Sequence, residues 1–377
     1  MVLASGDRVL IFNDALGHPV AISLSMPASG DRVANIPLGG GKPSSVTLTS
    51  PVAGDRVVVV PDSSGKRIAI LSDGMGSGLT LIGGSSSTTY YNDIWVSTNG
   101  IRWKQITEHA EWSARSGHKC VMMHDKSLVL VGGYTGSALC SDVWRSIDLG
   151  RTWIRQTASA GFGTRRDHAL WVLSDDTLIM GGGYGDMGYH KNDVWKSPDY
   201  GVTWTQQTAA ASWAARDGPA FVTLADDTIV ILGGGYGTPL YFADVWISTD
   251  KGVNWTQIKT DVEYDPWVKR TFFPAVLAGT DIIFVGGQND FPTFVGGAYK
   301  SNDGGTSWEL LSAQGDFSTR SHHTLTYGFD TALYITGGSS MNDVWKSIDG
   351  GVSWTMITEH ANWAARSGHQ CIDTRVV

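Results

Sequence analysis

Six arginines recur along the chain at intervals of roughly 50 residues and could together recognise an anion. Each follows an aromatic residue by three positions, and the set comprises Arg115, Arg165, Arg216, Arg270, Arg320 and Arg366. A guanidinium group binds a carboxylate or sulfate through two parallel hydrogen bonds. If the side chains surround a shared opening, the candidate ligand-binding residues are Arg165, Arg216, Arg270 and Arg320. Alternatively, each arginine caps carbonyl groups of a neighbouring repeat and is covered by its aromatic residue.

A second set of candidates lies in loops where the repeats differ from one another. These loops follow a glycine pair and are rich in aromatic residues in the third to fifth repeats. The candidate ligand-binding residues are Tyr134, Tyr184, Tyr189, His190, Tyr236, Tyr241 and Phe291. Aromatic rings stack on sugar faces, and nearby amide, carboxylate and imidazole groups can bond sugar hydroxyls. The pattern favours a saccharide-binding cleft, with ordinary loop packing as the alternative.

The histidines and cysteines do not form a pattern typical of a metal site. His118, His168, His323 and His369 each stand three residues after a repeated arginine. Copying one position around several repeats is typical of packing, because a single metal site would not be repeated in this way. The three cysteines are scattered and have no zinc-site spacing. We therefore expect no metal, no cofactor and no catalytic residue set.

The composition limits the partners that the protein can have. The formal net charge is −8, which argues against nucleic acid as a partner. No apolar run approaches the roughly 18 residues of a membrane span, so we expect no membrane insertion. A glycan or another protein remains as the expected ligand.

The elements that must position these residues are short strands in six similar units. In each unit an apolar run ends in a glycine pair, as in Leu128–Gly133. A loop leads to Asp-Val-Trp, as in Asp142–Trp144, and then to Ser-x-Asp-x-Gly-x-x-Trp, as in Ser146–Trp153. The fifth unit departs from this order, with Ala298-Tyr299 in place of the usual residues. Each unit offers about four strands, and such units bury both faces only by closing into a ring.

These motifs carry a resemblance to known repeat families. The glycine pair, the Asp-Val-Trp sequence and the closing Trp resemble kelch repeats, and Ser-x-Asp-x-Gly-x-x-Trp resembles the Asp box of sialidase-like propellers. The resemblance implies an all-β chain with a six-bladed β-propeller of four-stranded blades over residues 75–377. Because Gly368–Val377 reads as a lone first strand, we expect it to complete the first blade as a clasp. If Arg67–Leu71 supplies that strand instead, the C-terminal strand begins a seventh blade.

Residues 1–74 contain a shorter repeat than the rest of the chain. Gly-Asp-Arg-Val occurs three times, starting at Gly6, Gly30 and Gly54, and each copy begins a predicted strand. Three hairpins of this kind predict a small β-barrel or sandwich module. Such a module beside a propeller suggests contact with an assembly partner.

The activities of similar propellers can be compared with these residues. Sialidases commonly carry a Phe/Tyr-Arg-Ile-Pro motif; this chain has no Arg-Ile-Pro, and Arg67-Ile68-Ala69 lies outside the predicted ring. The kelch-fold copper oxidases need a Tyr–Cys cross-link and two histidine ligands. The kelch-fold sialic acid mutarotases use Arg, Glu and His in the channel mouth. Glu108 and Glu359, each followed by a histidine, are the matching cluster in this sequence.

The function that these observations favour is recognition without catalysis. We expect a protein that binds a glycan or a protein through the loop face, in an extracellular, cell-surface or virion setting. The first alternative is an enzyme acting on an acidic sugar, similar to the mutarotases. The second is an intracellular kelch adaptor, which is disfavoured because the usual helical partner domain is missing.

Overall fold

The computed structural model describes residues 8–13, 19–24, 56–61, 67–72 and 78–375, except 238–239, 261–268, 290–293 and 314. The chain divides into two compact units, Met1–Gly76 and Ser77–Val377. In the first unit, strands β1 (Arg8–Asn13) and β2 (Pro19–Leu24) form one antiparallel hairpin. Strands β3 (Arg56–Pro61) and β4 (Arg67–Ser72) form another. The hairpin expected at Gly30 lies outside the described residues, and the barrel or sandwich stays a prediction.

The second unit consists of six antiparallel four-stranded sheets. Their strands, in chain order, are β5 (Leu79–Ser85), β6 (Tyr90–Ser97), β7 (Lys104–Thr107), β8 (Lys119–Met122), β9 (Leu128–Val131), β10 (Val143–Ser146), β11 (Ile154–Thr157), β13 (Ala169–Val172), β14 (Leu178–Gly181), β16 (Val194–Ser197), β17 (Thr205–Thr208), β18 (Ala220–Thr223), β19 (Ile229–Leu232), β20 (Val245–Ser248), β21 (Thr256–Lys259), β22 (Ala275–Ala278), β23 (Asp281–Val285), β24 (Ala298–Ser301), β25 (Glu309–Ser312), β26 (Thr324–Tyr327), β27 (Leu333–Gly338), β28 (Met341–Ser347), β29 (Thr355–Thr358) and β30 (Gln370–Asp373). A two-residue pair, β12 (Arg165–Arg166) with β15 (Tyr184–Gly185), and a 3-10 turn at Asp186–Gly188 complete the set.

The first strands of the sheets surround a central channel. Blades 2 to 6 begin with β8, β13, β18, β22 and β26, and blade 1 has the order β30-β5-β6-β7. Each first strand contacts the first strands of the two neighbouring blades, and β30 contacts both β26 and β8. The prediction of an all-β, six-bladed propeller of four-stranded blades is confirmed.

The C-terminal strand closes the ring. In blade 1, Gln370 pairs with Ile82 and Asp373 with Leu79. The expected clasp is therefore confirmed. The alternative with seven blades is wrong, because β4, which would have supplied the missing strand, pairs with β3.

Aromatic pairs fill the space between blades. Five of the aromatic residues that stand three positions before a repeated arginine pack edge-to-face on the closing Trp of a Ser-x-Asp-x-Gly-x-x-Trp turn or, in blade 1, of its shorter version Ser97–Trp103. The pairs are Trp112–Trp153, Phe162–Trp204, Trp213–Trp255, Phe317–Trp354 and Trp363–Trp103, with ring centroids 5.1–6.0 Å apart. This contact explains why the two motifs recur together; the sixth aromatic residue, Trp267, lies outside the described residues.

A ring of backbone hydrogen bonds surrounds one end of the channel. Its members stand two residues after each repeated arginine and are Gly117, Asp167, Gly218, Phe272, His322 and Gly368. The N–H of each donates to the carbonyl of the ring residue in the preceding blade, at 2.8–3.0 Å, and Gly117 closes the circle by donating to Gly368. All six residues have left-handed backbones, with φ between 53° and 65°. We call this feature the backbone ring.

Candidate functional site

The repeated arginines form ion pairs inside the blades. All six are buried, and five bind the carboxylate of the Asp-Val-Trp sequence through two hydrogen bonds of 2.6–3.0 Å. The pairs are Arg115–Asp142, Arg165–Asp193, Arg216–Asp244, Arg320–Asp343 and Arg366–Asp93. The hypothesis that Arg165, Arg216, Arg270 and Arg320 bind a ligand is corrected here. Their guanidinium groups have no exposed surface and serve the fold.

Each arginine also joins two blades. Arg115 donates through Nη1 to the carbonyl of Gly132 at 2.9 Å, within blade 2. Its own carbonyl accepts from the N–H of Gly84, in blade 1, at 2.9 Å. The second glycine of the pair must approach closely: a Cβ on Gly133, at φ +109°, would lie 2.9 Å from His118 and 3.1 Å from the Ser116 carbonyl. This arrangement matches the alternative interpretation, in which the arginines cap carbonyl groups.

The arginine charge is paired with an aspartate in blades 1, 2, 3, 4 and 6. Burial acts to raise the pKa of the Asp142 carboxyl, but the hydrogen bonds and charge of Arg115, with the Trp144 indole, outweigh it and hold the pKa below its usual value. The Asp193 carboxyl behaves in the same way beside Arg165. Blade 5 has no aspartate at this position, and burial lowers the pKa of Arg270 to about 10, against an opposing effect of Tyr299.

The repeated histidines are packing residues. His118, His168, His323 and His369 are buried, and burial lowers the pKa of each, so they are neutral at pH 7. Each side chain lies against the glycine pairs of two adjacent blades, with its Cβ facing one pair and its ring facing the other. Among the described residues, no group of three or more His, Cys, Asp and Glu side chains is arranged to hold a metal ion.

A row of aromatic side chains lies beside the backbone ring on blades 1 to 4. Tyr90 packs edge-to-face on Tyr134, with centroids 5.8 Å apart. Tyr184 contacts His190 at 5.3 Å, and His190 contacts Tyr236 at 4.6 Å. Of the predicted residues, Tyr134, Tyr184, His190 and Tyr236 are thus brought together. Together with Tyr90, and with Arg166 between Tyr134 and Tyr184, these side chains form what we call the aromatic row.

Arg166 links the two halves of the aromatic row. Its guanidinium carbon lies 5.4 Å from the Tyr134 ring centroid and 5.3 Å from that of Tyr184. The side chain is 38% exposed, and its Nε lies 3.6 Å from the Asp167 carboxylate. Of the described carboxylates, none comes closer to Arg166. A cation held between two aromatic rings is fixed in position while its remaining N–H groups stay available to an anion.

A second charged residue lies beside His190. The His190 Nε2 is 3.5 Å from a carboxylate oxygen of Asp217. Asp217 and Arg166 occupy the same repeat position, directly after the repeated arginine, on neighbouring blades. The site therefore presents a cation and a carboxylate on either side of Tyr184 and His190.

Sequence reasoning missed Arg166 and Tyr90 as candidates. The position after the repeated arginine is Ser116, Thr271, Ser321 and Ser367 in four blades, and it becomes Arg166 and Asp217 in the other two. That departure from a small hydroxyl residue was the available signal.

The other predicted residues have different places. Tyr189 is 61% exposed at the end of the 3-10 turn, and no aromatic contact in the described residues joins it to the row. Tyr241 is buried, because its backbone pairs with Gly235 and its ring covers that glycine. Phe291 lies outside the described residues.

The glutamates expected in an acidic-sugar enzyme do not approach the channel. Glu108 directly follows β7 and Glu359 directly follows β29, the outermost strands of blades 1 and 6. Both are exposed. Because they follow the outermost strands, both lie on the rim of the propeller, away from the backbone ring.

No protein-family model matches the sequence. Within the part of the chain that the structure describes, no helix has the length and apolar character needed to cross a membrane.

Proposed function

We propose that this protein is a non-catalytic recognition module that binds an acidic glycan through the aromatic row. The observation that carries the proposal is Arg166, whose guanidinium lies between Tyr134 and Tyr184 and is partly exposed. A sugar carboxylate or sulfate can bind the guanidinium in a bidentate manner, and the flanking rings offer faces for sugar stacking.

The neighbouring groups support the same ligand class. His190 and Asp217 can bond sugar hydroxyls, one as donor and the other as acceptor. Tyr236, with 44% of its surface exposed, extends the row beyond His190. The row crosses four blades, which suits an oligosaccharide chain better than a small substrate held for catalysis.

We also infer that the blades are of kelch type with Asp-box turns. In the turn of blade 2, Ser146 Oγ accepts from the N–H of Gly150 at 2.8 Å, and Asp148 accepts from the N–H of Thr152 at 2.9 Å. The Trp153 indole donates to the Gly150 carbonyl at 3.2 Å. These bonds give each motif residue a turn-forming role, and the recognition residues lie elsewhere. An extracellular, cell-surface or virion setting, with the N-terminal module contacting an assembly partner, fits this proposal.

The test is a glycan array followed by calorimetry with the best acidic glycan. Arg166→Gln should weaken binding by at least tenfold, because a hydrogen bond to a charged group is worth about 1.5–3 kcal/mol. Tyr184→Ala should weaken it by about fivefold, or about 1 kcal/mol, through lost stacking. Neither change should alter the melting temperature by more than a few degrees.

Arg155→Gln is the matched control, since Arg155 is an exposed arginine on β11 that lies over Trp144. It should bind as the unaltered protein does. Acidic-glycan binding that is unchanged in Arg166→Gln would overturn the proposal. Turnover of the glycan in the same assay would favour the enzyme instead.

A further inference from the structure

The central channel contains a cavity that is separate from the aromatic row. Next to the backbone ring, whose six members all line it, lies a space of about 200 Å³. It continues into a wider, largely apolar space of about 480 Å³, because the two share Phe221, Ala275, Leu325 and other lining residues. A ligand can therefore reach the cavity from the end of the channel remote from the backbone ring.

One wall of the cavity carries a single charged residue at a repeated position. Four residues after the repeated arginines stand Lys119, Ala169, Ala220, Pro274, Thr324 and Gln370. The polar members come from the adjacent blades 6, 1 and 2, and the apolar ones from blades 3 to 5. Lys119 extends from blade 2 across the channel, so that its Nζ lies 5.5 Å from the ring centroid of Phe221 in blade 4. The cavity thus has a cationic side and an aromatic side.

The Lys119 ammonium has no anionic partner within the described part of the chain. No ion pair or hydrogen bond joins it to a described side chain. The carboxylate of Asp167, which also borders the cavity, lies 3.6 Å from Arg166 Nε. Burial lowers the pKa of Lys119, with the charge of Asp167 acting in the opposite direction. Burial also lowers the pKa of His322, which borders the cavity, so this imidazole is neutral at pH 7.

The Lys119 side chain is partly exposed and borders the cavity without a counterion among the described side chains. An anion that enters the cavity would supply one. The Gln370 amide nitrogen, which donates one hydrogen bond to the His369 carbonyl, has a second hydrogen to offer. Phe221 and Phe272 supply apolar surface opposite these polar groups.

We propose that the channel cavity binds a small organic carboxylate, with the carboxylate at Lys119 and the apolar part against Phe221 and Phe272. The size follows from the volume. A cavity of about 150 Å³ holds benzene, so about 200 Å³ accommodates a molecule of the size of benzoate. The site is independent of glycan recognition by the aromatic row.

Benzoate and its neutral analogue benzamide are the probes, measured by calorimetry and thermal shift on the full chain at pH 7. Benzoate should bind and raise the melting temperature, and benzamide should bind at least tenfold more weakly. Lys119→Met should reduce benzoate affinity by at least tenfold. Lys196→Met, a lysine on β16 of blade 3 outside the channel, should leave it unchanged.

Three results would each overturn the proposal. One is the absence of benzoate binding to the unaltered protein at millimolar concentrations. Another is equal binding of benzoate and benzamide, a comparison that needs no variant and so remains decisive if Lys119→Met does not fold. The third is benzoate binding that survives in a folded Lys119→Met protein.

Discussion

Blade 2 and blade 5 hold the same backbone framework with different side chains. In blade 2, Arg115 binds Asp142 in a bidentate manner, and the Trp144 indole donates to the same carboxylate at 2.8 Å. In blade 5, Gly297 and Tyr299 take the places of Asp142 and Trp144. The aspartate that pairs with the arginine in the first blade therefore has no counterpart at that position in the second.

In blade 5, aromatic side chains pack around the corresponding position. Tyr299 stacks on Phe284 with centroids 4.9 Å apart, and Phe273 packs on Phe284 at 5.1 Å. Arg270 is kept, lying 5.0 Å from the Tyr299 ring and donating to the Gly286 carbonyl at 2.7 Å. Phe273 replaces the histidine that blade 2 carries at His118.

The difference shows that a blade can keep the arginine without an aspartate at this position. A buried pair costs desolvation and is often matched in stability by well-packed apolar groups. Once it is present, however, losing one partner leaves an uncompensated charge. Single changes in a regular blade should therefore be far more harmful than the natural divergence of blade 5 suggests.

The largest effect is expected for Asp142→Ala. Because Arg115 would remain buried without its carboxylate, the free energy of unfolding should fall by about 3–5 kcal/mol. Chemical denaturation measures this directly. Glu309→Ala, which removes a surface ion pair with Lys300 in blade 5, should cost less than about 1 kcal/mol and serves as the control.

The double variant Asp142→Gly/Trp144→Tyr sharpens the comparison, since it copies blade 5 into blade 2. It should be at least about 1 kcal/mol more stable than Asp142→Ala, as the tyrosine ring supplies a face for the guanidinium. A double variant no more stable than Asp142→Ala would show that Tyr299 does not compensate for the missing aspartate.

An intermediate effect is expected for acid sensitivity. The pKa of His168 is depressed in the folded protein by burial, so the unfolded chain binds the additional proton as pH falls below about 6.5. The stability is present above that pH and is lost below it, by about 2 kcal/mol for one such histidine at pH 5.

His168→Phe, which copies Phe273 of blade 5, should remove that loss. Its melting temperature should fall less between pH 7 and pH 5 than that of the unaltered protein. His109→Gln, at an exposed histidine, should leave the pH dependence unchanged. Equal acid sensitivity in His168→Phe would mean that this histidine is not the group that takes up the proton.

The smallest effect concerns a hydrogen bond between blades. Thr157 donates to the Gly201 carbonyl at 2.9 Å, joining blade 2 to blade 3, whereas blade 4 has Lys259 at the equivalent position facing blade 5. Thr157→Val should cost about 1 kcal/mol in denaturation experiments. Thr205→Val, at an exposed threonine of β17, should cost less; a larger loss there would contradict the assignment.

The repeat period made the ring predictable and favoured six blades closed by the clasp over seven. Gly368–Val377 could only be a first strand without its blade, and each predicted unit could bury its faces only against neighbours. The role of the arginines was harder to predict. Arg115 and Asp142 stand 27 positions apart, and Arg270 persists where the aspartate is missing, so the sequence supported both interpretations.

The site was only partly predictable for a related reason. A tyrosine in a loop can face either way: Tyr184 turns towards Arg166, whereas Tyr241 turns inward over Gly235. Residue type and spacing do not decide this, because the choice depends on what the neighbouring blade presents. The change from Ser116 to Arg166 at one repeat position was informative, but only beside the other five.

The backbone ring has a consequence for how the propeller comes apart. In a linear repeat array, a terminal unit can detach by losing one interface, so the ends fray and need special capping units. Here every blade has two neighbours, and the hydrogen bond from Gly117 to Gly368 removes the distinction between terminal and internal units. Releasing any one blade costs two interfaces at once. Unfolding of the propeller should therefore be a single cooperative transition, with no stepwise loss of blades from either end.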